Sequence, residues 1–565
     1  MGRFGVKASR LIGLLAILAM LVPMFNLQAS SAQDTGKILR VHQVTDPDVV
    51  DPQKSSFTNE IAILALNYEG LTRLDSDGNT VPAAAESWEF NADGTVLTFH
   101  LRAGLTYSDG SPLTAERFRY AVERTCDPNT AGEYQSILFE IKGCAEFAGS
   151  LTAPEVGEGT PPAEVDPAAY ETTKAALGVK AIDDVTLELT LTNPAPYYPT
   201  IAGLWVFFPA KQELIEQGGD AWWKDPALQL GNGPFQITKW EDEQLVGFTA
   251  NEHYWGGRAK LDGIEYIYQG DSAVALEAYR NGDLDIMQVD SVQIPEVQAD
   301  ATLAAQMLSY TVASTYTLNF NLAQAPFDDI KVRQAFSQAF DRETYCAVVR
   351  NGDCSPTLSW IPPGLPGSIE TDLYGFDPDA AKAALAESSY GSADKLPEIK
   401  LFYNADDPAN TTRAEWVAGQ YRDILGVNIT LQPTEGTALV ALRKDPATFP
   451  QMLLVGGWIQ DYPDPQNWLS VYFKCDATFA KRFNYCNPEF DKLVGQADVE
   501  FDATKRMELY QQAGQILVND IPSPFLYNLS NVVLINPKVT GYTPAAVDAE
   551  WPGQFASLLT IDISE

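Results

Sequence analysis

The sequence predicts an α/β protein of two or three domains, on three observations. Segments with the two-residue alternation of half-buried strands and segments with amphipathic-helix spacing follow one another along the whole chain. The composition is globular, with 565 residues, 45% hydrophobic and 20% charged, which is enough material for more than one core. No internal repeat, heptad run or low-complexity tract competes with that reading.

The first 32 residues stand apart. Arg3, Lys7 and Arg10 precede an apolar run over residues 11–25, and small residues around Ala29 and Ala32 offer a cleavage site. This reads as an export signal, with an uncleaved anchor as the other reading. No Cys lies near that site, which argues against a lipid anchor. After it no run of 18 apolar residues occurs, so no other membrane span is expected.

Residues 37–110 read as β-rich with two helical interruptions, the clearer at residues 61–66. Thr114 is placed to cap a helix carrying Phe118, Ala121 and Val122 to about Arg124. Residues 153–167, rich in Pro, Gly and Glu, read as a long exposed loop. Val185, Leu187, Leu189 and Leu191 alternate with polar residues and predict a strand. A strand is expected over residues 311–320, then a helix with Val332, Ala335, Phe336, Ala339 and Phe340 on one face. Asp377-Pro378 opens a further helix as cap and first residue. Ala414, Val417, Tyr421 and Leu425 mark another helix, and Met507, Tyr510, Ala513 and Leu517 the last clear one, with a short strand at residues 429–431 between them.

Charge and side-chain inventory exclude several functions. Removing the three basic residues of the leader deepens the net charge from −37 to −40. Phosphate binding needs a basic face, so nucleic acid is not expected as a partner. The three histidines, His42, His100 and His253, are far apart and no CxxC occurs, so neither a metal site nor a cofactor is expected. P-loop, HExxH, GxSxG and dinucleotide fingerprints are missing, and nothing points to an enzyme, although a secreted hydrolase remains the alternative from another class. Six cysteines in an exported chain suggest disulfides. They allow 15 pairings; their closeness in sequence favours Cys126 with Cys144, Cys346 with Cys354, and Cys475 with Cys486.

One stretch can do chemistry. An apolar run at residues 452–455 leads into Gly457-Trp458-Ile459-Gln460-Asp461 and a Pro-rich turn. Such a strand end offers backbone groups, an aromatic wall and one carboxylate to a small ligand. Equally, Asp461 caps the turn and Trp458 fills core.

Six spaced motifs then bear on the choice. They are Asp51-Pro52 with Tyr68-Glu69-Gly70-Leu71; Pro82 to Trp88 with Asp93-Gly94; Phe99-His100-Leu101-Arg102 leading to Tyr107-Ser108-Asp109-Gly110; Gly231-Asn232-Gly233-Pro234-Phe235 with Tyr254-Trp255; Pro326-Phe327-Asp328-Asp329 with Arg333 and Asp341-Arg342; and the stretch ending at Asp461. Together, over nearly the whole chain, they resemble the family 5 solute-binding proteins of ABC importers, the dipeptide- and oligopeptide-binding proteins. The resemblance implies a bilobal, periplasmic-binding-protein type II-like fold with an interlobe ligand cleft. It implies domain I at residues 33–81, 210–311 and 540–565, domain II at 82–209 and domain III at 312–539, with lobe crossings near residues 310–317 and 538–544. It also implies a monomer, exported to the periplasmic or extracellular face of the envelope, that delivers a peptide or other small solute to membrane permease subunits.

By the same resemblance, Gly457, Trp458 and Ile459 offer backbone to an added peptide strand, and Asp461 pairs with the ligand's α-amino group. Ser56, Phe57 and Thr58 face the cleft from the other lobe, and Tyr134 reaches it from domain II, its other reading being a half-buried loop tyrosine. Arg443 is placed for a ligand carboxylate. The chain departs from oligopeptide binders in having Gly436 where some carry a pocket Trp, and Val455 where they carry an Arg. An oligosaccharide, stacked on Trp458, Tyr462 and Trp468, is the alternative ligand within the family.

Overall fold

Two sheets organise the chain. The computed structural model describes residues 36–150, 167–542 and 558–564. A twelve-stranded mixed sheet runs in the order Ile429–Thr434, Ile399–Asn404, Met452–Ile459, Ser314–Phe320, Phe525–Ile535, Ile286–Gln288, Ile38–Gln43, Gly263–Tyr268, Leu245–Ala250 and Phe235–Glu241. Met307–Thr311 and Cys354–Pro356 also pair with Phe525–Ile535. A separate antiparallel sheet orders Ala85–Phe90, Val96–Leu101, Thr186–Thr190 and Val179–Asp183. The expected leader at residues 1–32 and residues 153–166 of the expected loop lie outside the described residues.

The large sheet has two halves with separate cores. Its Ile38–Gln43 half shares a core with the small sheet, built on Leu39, Phe99, Phe118, Trp222 and Tyr266. The Met452–Ile459 half packs around Leu318, Phe336 and Tyr421 on one face, and Trp468, Phe490 and Tyr510 on the other. These are the first and second lobes below. The chain passes between them at Val312 and Ala313. The return passage is not at residues 538–544. It lies within Phe525–Ile535, whose first residues pair with Tyr316 and Thr317 while residues 530–534 pair with Met307–Thr311. Eleven extended residues reach about 36 Å, enough to serve both halves. Lys538 lies beyond, its ammonium 2.6 Å from buried Asp285.

The elements follow from local sequence. In Pro378–Glu387 the Asp377 carboxylate accepts from the Asp379 and Ala380 N–H groups, with Pro at the first position. Asp329 caps Ile330–Gln338, which buries Val332, Ala335 and Phe336; Ala339 and Phe340 lie just past its end, also buried. Pro408–Leu425 buries Ala414, Val417, Tyr421 and Leu425, one stripe at helical spacing. Two expectations are corrected. Val185 is not in its strand but in the preceding turn, its N–H on Asp183, and is exposed. Among the described residues of 37–110 only one helix occurs, Thr58–Asn67.

Most of the motif residues behind the resemblance hold this architecture together. Buried Asp51 accepts from Arg124 at 2.5 and 2.6 Å and from the Trp222 indole at 2.9 Å. Fully buried Glu69 accepts from the Tyr254 hydroxyl at 2.6 Å and the Trp255 indole at 2.5 Å. A Cβ on Gly231 would stand 1.7 Å from the Asn67 carbonyl oxygen, so only glycine fits against that helix end. Arg333 donates to the carbonyls of Phe327, Asp520 and Ile521, fastening one helix to the end of another.

Candidate ligand-binding site

The Met452–Ile459 strand begins in the second-lobe core with Met452, Leu453 and Leu454 buried. It pairs with Ser314–Phe320 along one edge for its whole length. On its other edge it meets Ile399–Asn404 only at Met452 and Leu453. From residue 454 to 459 that outer edge has no strand partner among the described residues. Two glycines let the strand close on its inner neighbour. A Cβ on Gly456 would lie 2.2 Å from the Asn319 amide, and one on Gly457 2.4 Å from the Thr315 carbonyl oxygen.

Beyond the strand, Asn467 positions the two polar groups. It is fully buried in Pro465–Phe473, a helix capped by Asp464. Its side-chain oxygen accepts from the Trp458 indole at 2.9 Å and from the Asp461 backbone N–H at 3.0 Å. Its amide donates to Asp461 Oδ2 at 2.8 Å. Trp458 is thereby half-buried, edge-on to Tyr472 and Phe479.

The other Asp461 oxygen faces the first lobe. Oδ1 accepts from the Tyr134 hydroxyl at 3.1 Å. Tyr134 packs against Trp205, centroids 5.0 Å apart, and the Trp205 indole donates to the Ser55 carbonyl at 2.9 Å. No cationic side chain pairs with Asp461 among the described residues. Burial pushes its carboxyl up to about 6, against the lowering effect of the Asn467 and Tyr134 hydrogen bonds. Nearby, further contacts join the lobes: Phe501 lies edge-on to Phe90 at 5.1 Å, and the Arg506 guanidinium stands 5.7 Å over Tyr197.

Disulfides brace both sides. Cys126–Cys144, Cys346–Cys354 and Cys475–Cys486 are all formed. The first closes the segment that carries Tyr134, and the third closes the segment that carries Phe479.

The remaining expected residues lie apart from Asp461 and Trp458 in these contacts. The N–H groups of Ser56 and Phe57 both donate to Glu60 Oε2, at 3.0 and 3.2 Å. Phe57 and Thr58 line a cavity of about 450 Å³ with Gln43, Thr45, Asp46 and Asn531. A second cavity, of about 420 Å³, sets His42 and Gln269 of the first lobe opposite Arg350, Asp353 and Arg413 of the second. Asp461, Trp458 and Arg443 line neither. Arg443 is in the last turn of Gly436–Lys444, its charge acting on Tyr472 and Arg482. The sugar-stacking set fails: Trp468 is 1% and Tyr462 2% exposed, so neither ring offers a face. Sequence reasoning missed Asn467 and Trp205. Asn467 lies six residues past Asp461 in a Pro-led helix, a weak signal; Trp205 had none.

The description "Bacterial extracellular solute-binding proteins, family 5 Middle" matches residues 79–480. The chain is 31% identical to the periplasmic oligopeptide-binding protein OppA of Salmonella typhimurium, over 87% of each chain. It is also 31% identical to the probable deoxycholate-binding periplasmic protein YgiS of Escherichia coli, over 90% of each. The solved oligopeptide-binding protein OppAIV of Borrelia burgdorferi superposes with a TM-score of 0.73 at 27% identity, covering 93% of this chain and all of that one. With a bilobal α/β architecture to match, this chain belongs to the family 5 bacterial extracellular solute-binding proteins.

Proposed function

We propose that the chain captures peptides between its lobes and delivers them to the permease of an ABC importer, outside the membrane and without chemistry of its own. One observation carries this: among the described residues, a strand edge without a strand partner ends beside a half-buried carboxylate that no cationic side chain meets. An extended peptide adds to such an edge through backbone bonds that are the same for any sequence. Its α-ammonium supplies the charge Asp461 lacks. Peptide-binding relatives support the choice of ligand; the deoxycholate-named relative has no matching observation here. A solute that touches both lobes only when they meet favours the closed arrangement.

Isothermal titration of the exported protein with tri- to penta-alanine tests this. Binding by wild type, lost or severely weakened in Asp461→Asn, is the expected result. Unchanged affinity in Asp461→Asn overturns the ammonium assignment; no response to peptides alongside a thermal shift with a disaccharide or bile acid overturns the peptide.

A further inference from the structure

We propose that the cavity of about 420 Å³ between His42 of the first lobe and Arg413 of the second binds a neutral carboxamide, the chemistry of a Gln or Asn side chain. A preference for such peptides rests on the peptide reading above; the site itself does not.

The cavity is built from both lobes. His42 comes from the Ile38–Gln43 strand and Arg413 from the Pro408–Leu425 helix, and Leu529 to Val532 of the crossing strand run along it. Ser291 lines it too, and its carbonyl accepts from the Asn351 amide of the second lobe at 3.0 Å. Val44, Gln288 and Asn531 also line the cavity that holds Phe57 and Thr58, so the two spaces adjoin. The volume is that of a small-molecule site.

Charge in the lining is balanced. Two arginines face two aspartates. Asp353 holds Arg350 through bonds of 2.6 and 2.7 Å, and Asp290 accepts from the Val292 N–H at 3.0 Å. The Arg413 guanidinium stands 3.5 Å from Asp407 and donates to Asn410 Oδ1 at 2.9 Å. Neither an anion nor a cation therefore finds a net opposite charge. Hydrogen bonding is not balanced. Arg413 Nε and His42 Nδ1 are enclosed and lack a partner among the described residues. The first carries a hydrogen and needs an acceptor. His42 is 2% exposed, and its Nε2 donates to the Gln269 carbonyl at 2.8 Å. Burial pushes the imidazole below its ordinary value, against the Gln269 and Gln288 carbonyls, which favour the charged ring. In the neutral ring Nδ1 is then an acceptor that needs a donor. A carboxamide answers both on separate atoms: its carbonyl takes the Arg413 N–H and its own N–H meets His42. A hydrocarbon leaves both unpaired, and a carboxylate answers only the arginine. A group bound to both lobes favours the closed arrangement.

Two sources share this chemistry: a side chain of the captured peptide, and a separate small amide. Titrations of the whole protein separate them. One arm compares penta-alanines carrying Gln, Met or Glu at each of positions two to five, side chains close in size and different in chemistry. The other titrates N-acetylglutamine amide with and without saturating penta-alanine. The expected result is that Gln binds about tenfold tighter than both Met and Glu at one position, the scale of a hydrogen bond to a charged donor, or that the small amide binds. The Gln preference falls to about one, or the amide ceases to bind, in Arg413→Met and in His42→Phe. Equal binding of Gln, Met and Glu at every position, with no binding of the amide, overturns the site while leaving the peptide reading in place, and needs no variant to fold. Glu preferred over Gln overturns it, as does a Gln preference that survives in both variants. If the amide binds and no peptide does, the peptide reading falls and the site stands; if neither binds, both fall.

Discussion

Lowering the pH isolates the Asp461 carboxylate from the rest of the site. In the ligand-free protein its carboxyl sits at about 6, raised by burial. Pairing with an α-ammonium lowers it, because only the ionised form gains from the cation. The ligand amine, ordinarily near 8, stays charged over the range of interest. Below about pH 6 each ligand must therefore displace a proton, and affinity falls about tenfold per pH unit until the bound-state value is reached. Relative to pH 7, peptide binding weakens roughly tenfold at pH 5 and roughly thirtyfold at pH 4.5, and about half a proton is released per ligand at pH 6. Titration calorimetry in two buffers of different ionisation enthalpy measures both quantities. Asp498, also pushed up to about 6 by burial, lies among Ser470, Tyr510 and Arg506 and could add its own pH dependence. The Asp461→Asn protein separates the two, since any slope that survives there belongs elsewhere. An affinity flat from pH 7 to 4.5, or a slope equal in Asp461→Asn, refutes the reasoning.

Other outcomes follow from the same contacts. A shift from 3.8 to about 6 is worth on the order of 3 kcal/mol. The folded carboxyl is raised, so its stabilising share is complete below about pH 4 and lost as pH passes 6; urea melts of ligand-free Asp461→Asn are expected to exceed wild type by about 2 kcal/mol at pH 7.5 and to match it at pH 4. Asn467→Ala leaves Trp458 Nε1 and the Asp461 N–H without their acceptor, costing roughly 2–4 kcal/mol in urea melts and lowering peptide affinity at least tenfold. Phe501→Ala removes the ring contact to Phe90 and shifts ligand-free protein toward separated lobes by about 1 kcal/mol, read as a larger radius of gyration in solution scattering that a saturating peptide reverses. N-acetylating the peptide keeps the strand edge satisfied but leaves Asp461 uncompensated, so titration should show a loss of roughly 3–5 kcal/mol where C-terminal amidation shows none of that size.

Much of the fold was legible because it rests on local rules. Asp377, Asp329 and the stripe at Ala414, Val417, Tyr421 and Leu425 announce their helices through caps and spacing that need no distant partner. The return passage between lobes was misplaced because Phe525–Ile535 is buried along most of its length, and nothing in one strand tells which residues serve which half-sheet. Val185 was assigned to a strand because alternation does not stop at a turn; the Asp183 carboxylate does stop it. At the site, Asp461 was legible as a carboxylate at a strand end. Its partners were not legible in spacing: Tyr134, 327 residues away, entered only through the resemblance, and Asn467 joins through tertiary geometry.

The motifs that identify the family and the residues that would read a ligand are largely different sets. Asp51, Glu69, Gly231 and Arg333 are buried, satisfied within the chain and unable to touch a solute. Their roles are in packing, and so they speak for two lobes but not for what enters between them. Asp461 is the exception, a half-buried carboxylate whose two oxygens are met by neutral donors, one from each lobe. Neutral donors solvate a charge without cancelling it. The raised carboxyl is the measure of what is left over. A cation arriving from the ligand gains that remainder, and it does so where Tyr134 of the first lobe already reaches the same carboxylate. On the proposed reading, recognition of the ammonium and contact between the lobes then meet at one carboxylate, so that capture and closure are coupled without a separate trigger.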